Sequence, residues 1–312
     1  MPLDPHVKSL LNILVAAGVP EASQLTPLEM RERFIRLAEL VDAKDVPIGK
    51  IEHGTLPGPA GPIQIRIYTP RNPHARQLAG LIYFHGGCGV FGNLDTHDGI
   101  CRMLANESDC RVIAVEYRLA PEHPFPAAVE DSYAATRWVA RHALELGIDR
   151  DRIAIGGDSA GGNLAAVVCQ LVKQTAEFDL ALQVLLYPAM NVNVETESRR
   201  AFGQGYFLDN ATLDWALKYY GPTQIDLKDP RLCPLHATDL SGLPPAHIHT
   251  AEFDPLRDEG KAYADRLERA GVKVRYTCHQ GMIHHFYAMA GVIPYARAAI
   301  NATGIAIKDA LA

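Results

Sequence analysis

Short apolar runs recur through the middle of the chain at a length typical of strands that are buried on both faces. These runs lie at residues 81–84, 112–115, 153–155 and 184–186. Helical stretches lie between most of them, such as residues 127–146, which Gly147 closes. This alternation predicts right-handed crossovers and a mainly parallel sheet with helices on both faces.

The N-terminal third has a different pattern. The first 45 residues predict two helices, at 10–17 and 28–41, and the second has Thr26 as its N-cap with Pro27 behind it. After them, three isoleucines at 63, 65 and 67 alternate with more polar residues, which predicts a half-buried strand.

Towards the C-terminus the alternation of predicted strands and helices is interrupted and then resumes. Between 189 and about 225 we interpret the chain as an insertion, in which residues 202–220 predict a helix with irregularly spaced aromatics. Two strands follow, at 246–250 and 272–278, and they bracket a helix at 258–270. A final helix is predicted at 295–311.

Composition narrows the classes of function. The 312 residues carry 30 Lys and Arg against 36 Asp and Glu, so no basic excess suggests nucleic acid, and a small-molecule partner is expected. The six cysteines form no C-x-x-C pair, which argues against a zinc site and favours reduced thiols in a cytoplasmic protein. The apolar run at 10–19 is too short to span a bilayer and is a poor signal segment, because Asn12 interrupts it and no cleavage site follows.

The strongest local motif runs from Gly157 to Gly162 and contains Ser159 in a G-x-S-x-G pattern. It directly follows the predicted strand at 152–156 and precedes a helical run at 163–173. Such a sharp strand-to-helix turn presents the serine oxygen above a sheet as a nucleophile. A phosphate-binding glycine loop and a plain turn are the alternatives, and the strand and helix on either side favour the nucleophile.

A nucleophilic serine needs a histidine base and an acid that orients it. Both are expected later in the chain, in loops that follow strands, in the order serine, acid, histidine. Asp254 follows the strand at 246–250, and His284 follows the strand at 272–278. The fallbacks are His285 and His279 for the base, and Glu252 and Asp258 for the acid.

The oxyanion of a tetrahedral intermediate needs hydrogen-bond donors. His85, Gly86 and Gly87 directly follow the strand at 81–84, and glycines let backbone N–H groups approach a substrate closely. The predicted donors are therefore the amides of Gly86, Gly87 and Ala160, the last being the residue after the nucleophile.

Taken together, five segments resemble the hormone-sensitive lipase family of α/β-hydrolases, the mostly microbial carboxylesterases. They are His85-Gly86-Gly87, the stretch from Tyr117 to Ala127, the elbow from Gly157 to Gly162, the stretch from Asp254 to Gly260, and Gly281-Met282-Ile283-His284.

The resemblance implies an α/β-hydrolase fold with a Ser159, Asp254 and His284 triad. It divides the chain into N-terminal cap helices at 1–48, a catalytic core at 49–188 and 226–312, and an inserted cap segment at 189–225. It implies no cofactor and no metal, and, by analogy with relatives that pair through edge strands, a possible homodimer.

Two positions depart from the family pattern. Cys88 stands where the family has the third glycine of His-Gly-Gly-Gly, and a cysteine is strained there if the position needs a positive φ. His285 stands where the family usually has glycine, which keeps it open as a competing base.

The motifs therefore predict a serine carboxylesterase that hydrolyses short- to medium-chain acyl esters through an acyl-enzyme. An amidase, deacetylase or lipase on the same triad is the nearest alternative, because the machinery fixes the chemistry better than the leaving group. A low-activity ligand receptor on a hydrolase scaffold is the alternative of a different class, and only Cys88 favours it.

Overall fold

The central element of the fold is one twisted sheet. The computed structural model describes residues 2–18, 20–73, 75–192, 194–221 and 226–312, and within them eight strands form this sheet. The strands are β1 Lys50–Gly58, β2 Gly61–Thr69, β3 Leu78–Phe84, β4 Arg111–Glu116, β5 Ile148–Asp158, β6 Leu182–Leu186, β7 Ala246–Phe253 and β8 Val274–Ile283.

The strand order is β1-β2-β4-β3-β5-β6-β7-β8. The pairs β1/β2 and β2/β4 are antiparallel, and the five remaining pairs are parallel. The apolar runs of the sequence form the interior strands β3, β4, β5 and β6, as predicted, because strands covered on both faces contain few polar residues.

Helices pack against both faces of the sheet. They are α1 Pro5–Ala16, α2 Pro27–Val41, α3 Asp98–Ser108, α4 Ala127–Arg141, α5 Ala160–Thr175, α6 Glu197–Phe202, α7 Asn210–Tyr220, α8 Arg257–Arg269 and α9 Pro294–Ala310. Apolar residues of α1, α3 and α9 fill the core on one face, and those of α4, α5 and α8 fill the core on the other. Of the helices in the described ranges, none is long and apolar enough to cross a membrane.

Some predicted boundaries are wrong for local physical reasons. The helix predicted at 202–220 begins only at Asn210, because Gly205 has a φ of 85° and Asp209 caps α7 by accepting the N–H of Thr212 at 2.7 Å; Phe202 is the last residue of α6. Strand β1 was not predicted because it is the mostly exposed edge of the sheet and has no apolar alternation. Helix α3 was not predicted either, and the helix predicted at 127–146 ends at Arg141.

Helix α2 meets the inserted segment. Thr26 and Glu29 form the capping box at its start, and this fixes the direction in which the helix leaves the loop. Just before that cap, the carbonyl of Leu25 accepts a 3.0 Å hydrogen bond from the indole of Trp215 in α7. Phe34 of α2 lies in one apolar cluster with Trp215 and Phe91.

Candidate active site

Ser159 stands at the turn between β5 and α5, in the setting that the sequence predicted. Its φ of 55° and ψ of −118° are a strained conformation for a residue with a side chain. A Cβ on Gly157 would lie 2.5 Å from the carbonyl oxygen of Phe84, and one on Gly161 would collide with the same oxygen. The turn therefore needs glycine on both sides of the serine, and its strain turns the hydroxyl out over the sheet.

A chain of two hydrogen bonds connects Ser159 to a buried acid. The Nε2 atom of His284 lies 3.0 Å from the Oγ of Ser159, and its Nδ1 lies 2.7 Å from the Oδ2 of Asp254. The other oxygen of Asp254 accepts the N–H of Leu256 at 2.8 Å, which fixes the carboxylate plane. This is the nucleophile, base and orienting acid arrangement of a serine hydrolase.

The fallback acids have other partners. The Oε2 of Glu252 accepts the N–H of Gly281 at 2.7 Å. Asp258 accepts the N–H of Ser198 at 2.7 Å and pairs with Arg257. Both carboxylates therefore join loops of the scaffold and neither bonds to His284.

The fallback histidines are also engaged elsewhere. The Nε2 of His279 lies 3.0 Å from the Nδ1 of His249, in a network with Tyr287 and Tyr295 behind the sheet edge. His285 packs parallel to the ring of Phe207, with ring centroids 5.9 Å apart. Within the described residues, no hydrogen bond joins either histidine to Ser159.

Gly86, one of the predicted oxyanion donors, lies in the loop after β3 and has a different hydrogen-bond partner. The N–H of Gly86 points away from the site and donates to the Oδ1 of Asp158 at 2.9 Å, so it is not available to an oxyanion. The amides of Gly87, Cys88 and Ala160 have no hydrogen-bond partner among the described residues, and all three residues line the cavity at Ser159. Cys88 thus replaces Gly86 as the second loop residue whose amide can face a substrate.

Cys88 itself has a φ of 57°. A positive φ is strained for a cysteine, so the departure from glycine at this position has a conformational cost. Gly87 and Gly89 on either side also have positive φ, at 121° and 72°. Burial raises the pKa of the Cys88 thiol to about 12, so the side chain lines the cavity as an uncharged thiol.

His85 holds this loop from behind. Its ring stacks on Tyr117 with centroids 4.3 Å apart, and its Nδ1 lies 2.8 Å from the carbonyl oxygen of Gly86. The hydroxyl of Tyr117 donates to the carbonyl of His85 at 2.6 Å. Burial, aided by the charge of His97, lowers the pKa of His85 to about 3, so the ring is neutral at physiological pH.

Asp158 is a buried carboxylate that the sequence reasoning overlooked. Besides Gly86, its Oδ1 accepts the hydroxyl of Tyr83 at 2.9 Å. Burial alone would raise its pKa, but the neighbouring His97 and His285 outweigh burial and lower the pKa well below the usual range. The residue before the nucleophile therefore anchors the oxyanion loop as an anion.

Ser159 opens into a cavity with two arms. The first arm is mainly apolar and lies under α7, where its walls include Cys88, Ala160, Leu213, Ala216, Leu217, Tyr220 and Leu256. The second lies under α2 and contains the base, and its walls include Gly87, Met30, Phe34, Leu37, Phe91, Phe207, His284 and His285. Two arms on either side of one nucleophile match the two halves of an ester.

Comparison with known proteins agrees with the fold. Residues 81–288 match the sequence model of a family described by its α/β-hydrolase fold. The chain belongs to this family, in the branch of hormone-sensitive lipase that its motifs resemble.

Two curated relatives and one solved structure are particularly similar. The carboxylic ester hydrolase LipN of Mycobacterium tuberculosis is 47% identical over 238 residues, which are 74% of this chain but only 63% of LipN. The arylesterase of Saccharolobus solfataricus is 40% identical over 288 residues, 92% of each chain. The structure of an ester hydrolase from the metagenome of Lake Arreo, complexed with a derivative of bipyridine phosphonate, is 44% identical and superimposes over 98% of each chain with a TM-score of 0.96.

Proposed function

We propose that this protein is a serine carboxylesterase that hydrolyses short- to medium-chain acyl esters through an acyl-enzyme. The observation that carries the proposal is the continuous path from the Oγ of Ser159 through the ring of His284 to Asp254, at 3.0 and 2.7 Å. The esterase names of the relatives support the same activity.

Acylation begins when Ser159 attacks the ester carbonyl carbon. His284 takes the hydroxyl proton at Nε2, and Asp254 stabilises the resulting imidazolium at Nδ1. The tetrahedral intermediate collapses as the ester C–O bond breaks, and His284 returns the proton to the departing alcohol. Water then attacks the acyl-enzyme by the same route and releases the acid.

The oxyanion donors in this proposal are the amides of Gly87, Cys88 and Ala160. Ala160 is the first residue of α5, so its N–H is one of the amides that a helix start leaves without an internal partner. The positive end of the α5 dipole adds to this stabilisation. A backbone donor needs no particular side chain, so cysteine in place of glycine at 88 is compatible with catalysis.

We assign the specificity of the site to a cap made of residues 1–48 and 189–225 over a core of 49–188 and 226–312. Helices α2 and α7 line the two arms of the cavity, which supports this division. The apolar arm under α7 suits an acyl chain, and the arm under α2 suits the alcohol. A cap that closes both arms favours small esters over lipid aggregates.

We also propose a cytoplasmic location, which the six unpaired cysteines support. The homodimer stays an expectation by analogy. No observation specifically favours an amidase, deacetylase or lipase. The receptor alternative is also not favoured, since a receptor does not need the base and the acid that this chain retains.

The test is hydrolysis of p-nitrophenyl esters from acetate to laurate by the wild type, Ser159→Ala and, as a matched control, Ser241→Ala, which changes an exposed serine. Turnover is expected to peak at short to medium chains and to be unchanged in the control. In Ser159→Ala it should fall below about a thousandth of wild type. Higher residual turnover in folded Ser159→Ala would overturn the proposal.

A further inference from the structure

A second cluster of ionisable side chains lies beside the triad and transfers no proton in the proposed mechanism. The Nε2 of His97 lies 3.2 Å from the Oδ1 of Asp158, and the Nδ1 of His285 lies 3.7 Å from its Oδ2. One nitrogen or oxygen atom from each of the three residues lies within 4.8 Å of the others. All three residues are buried.

The two distances to Asp158, 3.2 and 3.7 Å, are close to the ligand separations of a metal ion. Ligand atoms bound to Zn²⁺ at about 2.0 to 2.1 Å in tetrahedral geometry are roughly 3.3 Å apart. Two imidazoles and one carboxylate are a donor set that Zn²⁺ and its neighbours in the first transition row accept, whereas Mg²⁺ and Ca²⁺ prefer oxygen alone. Three protein ligands leave a fourth position for water or substrate.

The ligand atoms are held from behind, as they are in known metal centres. The Nδ1 of His97 lies 2.9 Å from the hydroxyl of Thr96, so Nε2 faces the cluster, where it also accepts the N–H of Gly86 at 3.3 Å. The Oδ1 of Asp158 is held by Gly86 and by the hydroxyl of Tyr83. Its Oδ2 lies 3.3 Å from the Nε2 of His97 and 3.7 Å from the Nδ1 of His285.

The cluster is also accessible. His285 lines the same arm of the cavity as Ser159 and His284, so an ion can reach it by the substrate route. His285 is one of the two departures from the family pattern, and a glycine there would leave only two ligands. The third ligand is therefore a feature of this chain.

We propose that His97, Asp158 and His285 form a binding site for a divalent transition-metal ion, best suited to Zn²⁺, and that its occupancy inhibits the enzyme. Asp158 accepts the N–H that anchors the oxyanion loop, so a metal bond to its carboxylate weakens that anchor. The ion also places a positive charge near His284, whose ring must become an imidazolium during catalysis, and this disfavours the proton transfer. Inhibition rests on the proposed function, whereas metal binding does not.

Binding is tested on folded Ser159→Ala protein, in which the nucleophile is absent but the cluster is complete. Titration with Co²⁺ should give one site per chain, with ligand-field absorption and without the charge-transfer band of a thiolate ligand. Adding His285→Asn should weaken the site at least about tenfold, because one of three ligands is lost. Asparagine tolerates the φ of 66° at this position, so the variant keeps the turn.

Two matched controls locate the ion. His53→Asn changes an exposed histidine and should leave the titration unchanged. Cys88→Ala removes the thiol of the same cavity and should also leave it unchanged. Equal Co²⁺ affinity with and without His285→Asn, or loss of binding in Cys88→Ala, would overturn the site.

Inhibition is tested on the active enzyme with Zn²⁺, each variant being normalised to its own rate without metal. The Zn²⁺ concentration for half-inhibition should rise at least about tenfold in His285→Asn, a chelator should restore the rate, and Mg²⁺ should not inhibit. Equal Zn²⁺ inhibition in wild type and His285→Asn would overturn the inhibitory role. A protein that binds one Co²⁺ through His285 but hydrolyses no ester would overturn the proposed function and leave the metal site standing.

Discussion

The N–H of Gly86 donates a 2.9 Å hydrogen bond to Asp158, the residue immediately before the nucleophile. This bond joins the oxyanion loop to the nucleophile turn, so the donors and Ser159 keep one relative position. Tyr83 reaches the same carboxylate oxygen at 2.9 Å and reinforces the connection. The pairing also explains why Gly86 needs to be glycine, since a Cβ there would collide with Asp158.

Asp158→Asn should lower kcat by about tenfold to a hundredfold with little change in KM. The amide oxygen can still accept the N–H of Gly86, but the negative charge that faces His97 is lost and the loop is less firmly placed. The loss should be smaller than the roughly 10²- to 10³-fold cost of deleting an oxyanion donor. Steady-state kinetics check it, with Asp151→Asn, an exposed position on the same strand, as the control. Wild-type kcat in Asp158→Asn would contradict the anchoring role.

Cys88→Gly should shift the preference towards longer acyl chains, because removing the thiol widens the arm that Cys88 lines. It should also relieve a positive-φ cysteine, which costs about 1 to 2 kcal/mol, partly offset by about 0.5 to 1 kcal/mol of glycine entropy. Cys88→Ala separates the two effects, since it removes the thiol and keeps the strain. Chain-length profiles and urea unfolding measure them. A glycine variant that is less stable than the alanine variant by the full glycine entropy of about 0.5 to 1 kcal/mol would show that the strain is negligible.

The buried histidine pair His249 and His279 should make stability depend on pH. Burial lowers the pKa of His279 from 6.5 to about 4, and that of His249 well below 6.5. The unfolded chain therefore binds more protons, and this contribution to stability is complete above pH 6.5 and is lost as pH falls towards 4. Buried Glu259, whose pKa burial raises to about 8, acts in the opposite direction.

A difference between variants isolates the contribution of His279. His279→Gln should be destabilised at pH 7.5, where its bonds to Tyr295 and His249 are lost, and the gap to wild type should narrow by pH 4.5. Urea unfolding at several pH values measures the gap, and exposed His123→Gln is the control. A gap that stays constant with pH would contradict the assignment.

Arg31 should control how firmly α2 covers the active site. Its guanidinium pairs with Glu122 at 2.6 Å and donates to the carbonyls of Val90 and Ala120 at 2.8 and 2.7 Å. Arg31→Met keeps the length of the side chain and removes these bonds, of which the two to carbonyls are worth about 1 to 3 kcal/mol each and the exposed pair with Glu122 at most about 1 kcal/mol. Because Phe34 of the same helix lines the second arm, KM should rise several-fold.

Amide hydrogen exchange in α2 should also become faster in Arg31→Met, and it reports helix docking without relying on turnover. Arg36→Met is the matched control, since Arg36 lies on the same helix and has only a loose 3.7 Å contact with Glu32. Unchanged KM together with unchanged exchange in Arg31→Met would show that α2 is held by its apolar face alone.

The triad could be predicted from sequence because its geometry follows from chain order. Ser159, Asp254 and His284 each follow a strand of one parallel sheet, and the carboxyl ends of parallel strands meet at one edge. The interior strands could be predicted for a related reason, since burial on both faces leaves a continuous apolar run.

The oxyanion loop could not be predicted in the same detail. Which amide faces the cavity depends on Asp158, a partner that lies 72 positions after Gly86 and carries no local signal of that role. The choice between His284 and His285 likewise needed three dimensions, because adjacent residues at a strand end point in different directions. The helix predicted at 202–220 was too long for a further reason, because the helical pattern of the sequence continues across the turn at Gly205.

The proposed mechanism requires Ser159 to form a covalent intermediate, which a phosphonate ester can trap. The protein is incubated with a p-nitrophenyl alkylphosphonate ester, and the adduct is located by intact mass and peptide mapping. We expect one adduct per chain on Ser159, none in Ser159→Ala, slow formation in His284→Gln and normal formation in Cys88→Ala. An adduct on Cys88, or no adduct on the folded wild type, would contradict the mechanism.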